Sequence, residues 1–217
     1  MWVLNFWKSQ LGKKVVMAVT GLIGVGFVVG HMLGNLQMFE GADRMNRYAA
    51  FLQGLGELLW AARAVLLLAV ILHVIAAVQL TRMKQQARPV GYVKRTPQVS
   101  TFASRTIRWG GFLLLLFIPL HILHFTTKQL FAGYSETDVY GNVIDGFSRP
   151  LVSVFYLLAM AALGFHLYHG VWSSFRTIGA TQPSAHPLKR RLALGIAVIV
   201  WLGFSAIPIA VLLHVVR

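Results

Sequence analysis

The sequence predicts an all-α integral membrane protein: five transmembrane helices in a bundle, with a cytoplasmic N-terminus. Three observations predict it. Hydrophobic residues make up 57% of the 217 and charged residues only 12%, about half the charged fraction of an average soluble domain. Those few charges are too scarce to build a polar shell, and they are confined to short stretches between five apolar segments. The basic and acidic residues also segregate into alternate stretches, as they do in chains threaded through a membrane.

The apolar segments fall at about 15–39, 58–80, 107–131, 150–175 and 192–216, each near spanning length. Lys8, Lys13 and Lys14 precede the first. That run is too long for a signal peptide and has no small-residue cleavage site, so it reads as a retained helix. The stretch 81–106 reads as a basic cytoplasmic loop, in which Pro89 and Pro97 argue against a continuous helix. In the third segment Pro119 predicts a kink two residues before His121. No internal repeat and no linker divides the chain, so residues 1–217 read as one transmembrane domain.

Charge sets the direction. With the N-terminus inside, segments 1–14, 81–108 and 176–191 hold Lys8, Lys13, Lys14, Arg82, Lys84, Arg88, Lys94, Arg95, Arg105, Arg108, Arg176, Lys189, Arg190 and Arg191, and no acid. All six acids (Glu40, Asp43, Glu57, Glu136, Asp138 and Asp145) fall outside, with Arg44, Arg47, Arg63, Lys128, Arg149 and Arg217. The net charge of +14 is thus an orientation signal, and a surface for anionic lipid or a cytoplasmic partner, not a mark of nucleic-acid binding. With no cysteine, disulfides, iron–sulfur ligation and thiolate chemistry are excluded for this chain.

Histidine is then the strong transition-metal ligand left in the apolar segments. His31, His73, His121 and His166 lie one in each of the first four. An imidazole in hydrocarbon is costly unless partnered. Helix rise sorts them by depth: His31 lies roughly 24 Å and His121 roughly 20 Å from the inner edge, while His73 and His166 each lie roughly 14–15 Å from it. The outer pair comes from two outward-running helices and the inner pair from two inward-running ones. Two imidazoles at one level, on opposite faces of one macrocycle, are what bis-histidine haem ligation in a bundle requires. Two levels predict two b haems stacked across the membrane: His31 and His121 on the outer iron, His73 and His166 on the inner. A proton relay usually recruits intramembrane carboxylates, and none of these spans has one at mid-depth. Gly26, Gly30 and Gly34 beside His31 leave one flank bare for a porphyrin or a neighbouring helix. His124 and His169, one turn after His121 and His166, are shifted alternatives as ligands; His186 and His214 read as interfacial.

The stretches VGHMLGN around His31, VILHVIAAVQL around His73, FASRTIRWGGFLLLLFIPLHILHF around His121 and GFHLYHGVWSSFRTIGA around His166 resemble the five-helix, two-haem cytochrome b membrane anchors of succinate dehydrogenase and fumarate reductase (complex II). The likeness spans nearly the whole chain in helix number, order and spacing. It implies a place in the respiratory chain of a bacterial cytoplasmic membrane, with an iron–sulfur subunit and a flavoprotein docked on the cytoplasmic side. Electrons would pass between the iron–sulfur clusters, the two haems and a quinone, usually menaquinone in the two-haem form, with the succinate or fumarate chemistry left to the flavoprotein. Some members use a glutamate near the outer end of the second helix for proton transfer; here Glu57 is the nearest acid and Arg63 departs from that pattern. Arg63, Arg105 and Arg108 are candidates for haem propionates, and Glu57, Trp172 and Arg176 for the quinone. Two other readings stand beside this one. A cytochrome b anchor of another quinone-linked dehydrogenase or a hydrogenase would have a different number and order of spans, and a haem-free transporter would carry an inverted repeat.

Overall fold

The computed structural model describes residues 2–87, 101–179 and 186–216, which are helical with no strand among them. Arg88, Pro89, Lys94, Arg95, Pro97 and Arg217 lie outside the described residues. Among the described residues eight α-helices follow one another: α1 (Trp2–Lys8), α2 (Gln10–Leu36), α3 (Ala42–Gly54), α4 (Glu57–Gln86), α5 (Phe102–His121), α6 (Val139–Phe147), α7 (Pro150–Thr177) and α8 (His186–Leu212). Five of them, α2, α4, α5, α7 and α8, are long and apolar enough to cross a membrane, α2 and α5 together with the short turns that follow them. Their many exposed Leu, Val, Ile and Phe side chains would be an aggregating surface in water and are a solvated one in lipid.

The ends of these helices follow from local chemistry. The Ser9 hydroxyl accepts a hydrogen bond from the Gly12 N–H at 2.9 Å and so caps α2, while the Lys13 ammonium folds back to donate to the Trp7 carbonyl at 2.6 Å. After α2 a 3₁₀ turn, Gln37–Glu40, ends at Gly41 with φ 95°, and Gly56 with φ 51° separates α3 from α4. Both are left-handed positions that favour glycine. Asp138 caps α6 through the Gly141 N–H, and Pro150 opens α7, where its missing N–H costs nothing.

The third span runs over Phe102–Thr126, five residues earlier than the apolar run at about 107–131 suggests. The Thr101 hydroxyl accepts from the Ser104 N–H at 3.2 Å, which starts the helix among polar residues. The helix continues through Pro119 and opens into a π-helical turn, Ile122–Thr126. Such a widened turn is a common response to a disturbed hydrogen-bond ladder. α8 is likewise already helical at His186, before its apolar run; Lys189, Arg190 and Arg191 are good helix formers, and Arg190 donates to the Tyr168 hydroxyl of α7 at 2.7 Å.

Packing is uneven around the bundle. α7 packs on α8, α5 and α2, and α2 packs on α4 and α8. Neither α2 with α5 nor α4 with α7 makes a main packing seam. α3 and α6 cover the end that holds the acids. They are tied by Asn46, which donates to Asp138 at 3.0 Å and accepts from the Tyr140 N–H at 2.9 Å. Beneath them lies an apolar cluster of Met38, Met45, Val143, Phe147, Tyr156, Ile207 and Val211.

Candidate functional site: two histidine pairs

His31 of α2 and His121 of α5 face one another with ring centroids 5.8 Å apart. His73 of α4 and His166 of α7 do the same at 6.1 Å. Neither of these helix combinations is a main packing seam, so each pair meets across a gap between its two helices.

The two pairs lie at separate levels. A β-carbon at Gly21 of α2 would sit 3.3 Å from His73, and one at Gly111 of α5 would sit 3.8 Å from His166. From Gly21 to His31 is ten residues, and from Gly111 to His121 is ten again. Tyr156, which touches His121, precedes His166 on α7 by the same ten. Three helices thus return one spacing, about 15 Å of helix rise.

Three of the four rings are held from a nitrogen or from a flat face. His73 Nδ1 lies 3.1 Å from the Met17 carbonyl oxygen and 3.2 Å from the Thr20 hydroxyl, which itself donates to the Val16 carbonyl at 2.7 Å. A carbonyl only accepts, so Nδ1 carries the proton and Nε2 is left with a free lone pair. His121 Nδ1 meets the Tyr156 hydroxyl at 3.3 Å. His31 has Asn35 Nδ2 at 3.3 Å from its Nδ1 and 3.4 Å from its Nε2, and that same amide donates to the His31 carbonyl at 2.7 Å. His166 Nδ1 is buried with no protein partner. Phe27 stacks on His31 at 5.3 Å and Phe117 on His121 at 5.5 Å, each from one turn earlier on its own helix.

His124, the shifted alternative to His121, has both nitrogens taken: Nδ1 lies 2.9 Å from the Tyr156 hydroxyl and Nε2 2.9 Å from that of Tyr134. Its ring is 1% exposed, so no lone pair is left to face a gap. His169 is half-buried on the turn after His166. His186 packs edge-on against Trp172 at 5.6 Å.

The remaining candidates spread along the bundle. A β-carbon at Gly26 or Gly30 would meet nothing within 4 Å, so that flank of α2 is open beside His31, whereas Gly34 is closed by Tyr48. Arg63 lays its guanidinium over the Trp60 ring at 4.9 Å, a cation–π contact. Glu57 is the first residue of α4 and exposed; Arg105, Arg108 and Arg176 are exposed near the basic ends of α5 and α7. A cleft of about 180 Å³ between α5 and α7 is lined by Phe102, Thr106, Ile107, Gly110, Ala162, Phe165 and His166. The sequence reading missed Thr20, Phe117 and Tyr156. The available signals were a hydroxyl inside an apolar span, which needs a partner, and a phenylalanine four residues before a histidine, which shares its face.

Fold and site together define a multi-pass helical membrane protein with two intramembrane histidine pairs. The chain is similar to the protein named succinate dehydrogenase cytochrome b558 subunit of Bacillus subtilis (strain 168), with 23% identity over 190 residues that cover 87% of this chain and 88% of that one. That similarity and the five apolar helices agree with the resemblance to complex II cytochrome b anchors drawn from the sequence. No family model matches the chain, and no solved structure matches it.

Proposed function

We propose that this chain is the di-haem membrane anchor of a succinate:quinone oxidoreductase or quinol:fumarate reductase, carrying electrons between an iron–sulfur subunit and a membrane quinone. The observation that carries the reading is the pair of ring separations. Metal–imidazole bonds of about 2 Å on the two faces of one iron, with each ring centre about 1 Å further on, bring two centroids about 6 Å apart. The ring centroids, 5.8 and 6.1 Å apart, match that spacing.

The donor set fits as well. Among the described residues no three His, Cys, Asp or Glu side chains gather as a metal cage. Each pair supplies two ligands, the number a planar macrocycle leaves open on its iron. His31 and His121 would hold one haem, with Gly26 and Gly30 leaving room along α2. His73 and His166 would hold the other. Bound haem supplies one-electron chemistry, and the chain's own residues set its terms. Met17 and Thr20 keep the proton on His73 Nδ1 and its Nε2 free. Phe27 and Phe117 fix the ring planes of the other pair.

The rest of the reading follows the resemblance and the charge pattern: a bacterial cytoplasmic membrane, the basic face inside, the iron–sulfur and flavoprotein subunits docked there, and menaquinone as the usual partner. Arg63, Arg105 and Arg108 remain the propionate candidates, and Glu57, Trp172 and Arg176 the quinone candidates.

The test is a reduced-minus-oxidised spectrum with haem quantification on the purified protein, repeated for His31→Ala and His166→Ala. Two b haems are expected in the parent, with a different one lost in each variant. A single haem would break the two-level pairing. A folded preparation without haem would overturn the redox reading and leave a haem-free transporter in front.

A further inference from the structure

His121, Tyr156, His124 and Tyr134 form an unbroken row of hydrogen bonds of 3.3, 2.9 and 2.9 Å, running from the His31–His121 pair towards the acidic end of the bundle. At that end the Tyr134 ring borders a polar pocket of about 350 Å³ that also touches Asp138, Asn142, Asp145 and Arg149. The row depends on a close approach that only glycine allows. A β-carbon at Gly146 would stand 2.7 Å from the Tyr134 hydroxyl and 2.8 Å from His124 Nε2.

Ligation at one end would give the row a direction; this step rests on the haem reading of His121. A neutral imidazole that gives Nε2 to a metal keeps its proton on Nδ1. His121 Nδ1–H then donates to the Tyr156 oxygen, and the Tyr156 O–H donates to His124 Nδ1. His124 is thereby left with its proton on Nε2, which donates to the Tyr134 oxygen. Tyr156 and His124 each receive one hydrogen bond and give one, so the direction set at His121 carries through to Tyr134. Such chains polarise their members, each bond strengthening the next. Burial, and after it the Asp145 carboxylate, push the Tyr134 phenol up to about 12, so it keeps its proton at any ordinary pH.

We propose that Tyr156, His124 and Tyr134 are positioning residues for His121: they fix its ring and tautomer, raise its basicity as a ligand, and make the properties of that one metal centre depend on a tyrosine at the membrane surface. A stronger acceptor behind Nδ1–H makes the imidazole a better donor to a ferric iron. Removing it should raise the reduction potential of that centre alone.

The experiment is a potentiometric titration of both haems in the intact complex, for the parent, Tyr156→Phe, Tyr134→Phe and the double variant. The haem concerned is the one lost in His31→Ala. Tyr156→Phe should move its midpoint upward and leave the other haem in place, and Tyr134→Phe should move the same midpoint upward by less. Adding Tyr134→Phe to Tyr156→Phe should change nothing further, because the row is already cut; a purely structural tyrosine would give additive effects. Equal movement of both haems, movement of neither, or additive shifts would overturn the proposal. If Tyr156→Phe does not assemble, Tyr134→Phe decides alone: an upward shift confined to one haem supports the row, and none refutes it. A parent that holds two haems insensitive to these changes sinks this inference only, whereas a parent with no haem sinks the reading beneath it as well.

Discussion

The two histidine pairs have nearly the same ring separation, 5.8 and 6.1 Å, in opposite surroundings. His31 and His121 sit in an aromatic collar made by Phe27, Phe117, Phe125, Phe204 and Tyr156, with ring centroids 5.3 to 6.0 Å away. His73 and His166 sit against bare backbone, with Gly21 and Gly111 opposite the rings and Ala69 and Ala76 buried on α4 beside His73. One level holds its imidazoles by contact with large rings, the other by close approach of helices that lack side chains. The polar partners differ in the same way. His73 donates to a backbone carbonyl, fixed by the helix itself, while His121 meets a side-chain hydroxyl. A substitution can therefore retune the aromatic level, whereas at the glycine level most changes add bulk and close it.

That contrast orders the predictions. The largest effect is expected from Gly21→Leu, which drives a side chain into the His73 ring from a β-carbon position already 3.3 Å away. On the proposed di-haem reading, it should abolish the haem of the His73–His166 pair and spare the other, as read by haem content and a redox titration. Retention of both haems would show that α2 and α4 can separate freely, and the contrast would fail.

Phe117→Leu tests the aromatic level. Losing the stacked ring and its contacts with Phe155 and Tyr156 should cost about 1 kcal/mol, seen as roughly fivefold weaker haem retention at the His31–His121 pair only. Thr20→Val is smaller again. It removes one of the two acceptors of His73 Nδ1 and keeps the Met17 carbonyl, a loss of about 0.5 to 1 kcal/mol that should appear as a shift in one haem's midpoint, with no loss of haem.

The smallest effect separates the two levels by pH. The Gly141 N–H, and after it Asn46, hold the Asp138 carboxyl below the usual carboxylate value. A folded value below the unfolded one means that its stabilisation is present above the ordinary carboxylate range and lost as the pH falls through the folded value. Because the group is largely solvated, the drop in Tm across that acid range should stay within about 2 °C. Asp138→Asn keeps a helix cap and should flatten that part of the profile. Proteolysis near α3 and α6, at the aromatic level's end of the bundle, should report the loosening first.

Much of the architecture is legible in the sequence for one reason: helix rise is constant. Four histidines counted from charged boundaries fall into two levels roughly 5 to 10 Å apart, and the ten-residue spacings Gly21–His31, Gly111–His121 and Tyr156–His166 widen that separation to about 15 Å on three helices. Helix ends are less legible. Phe131 and Leu130 extend the third apolar run on paper, but Lys128 takes a φ of 57° and the chain has already left the helix. Caps such as Thr101 and Asp138 decide such ends locally, and a hydropathy window averages over them. Tyr156 was invisible as a partner because a tyrosine in an apolar span has several helices it can face.

The sequence by itself determined that the chain is a bundle of five apolar helices, that charge divides between its two ends, and that histidines recur at two depths. Those are properties of composition and of distance along a helix axis, and they survive any rotation of the helices. Only the tertiary structure decided which face of each helix meets which neighbour. It set the aromatic collar around one pair and the glycine walls around the other, and it satisfied both nitrogens of His124 with tyrosines from α7 and from the 127–138 segment. Rotation about a helix axis is fixed by side-chain packing between helices, and a list of residues along one axis does not contain it.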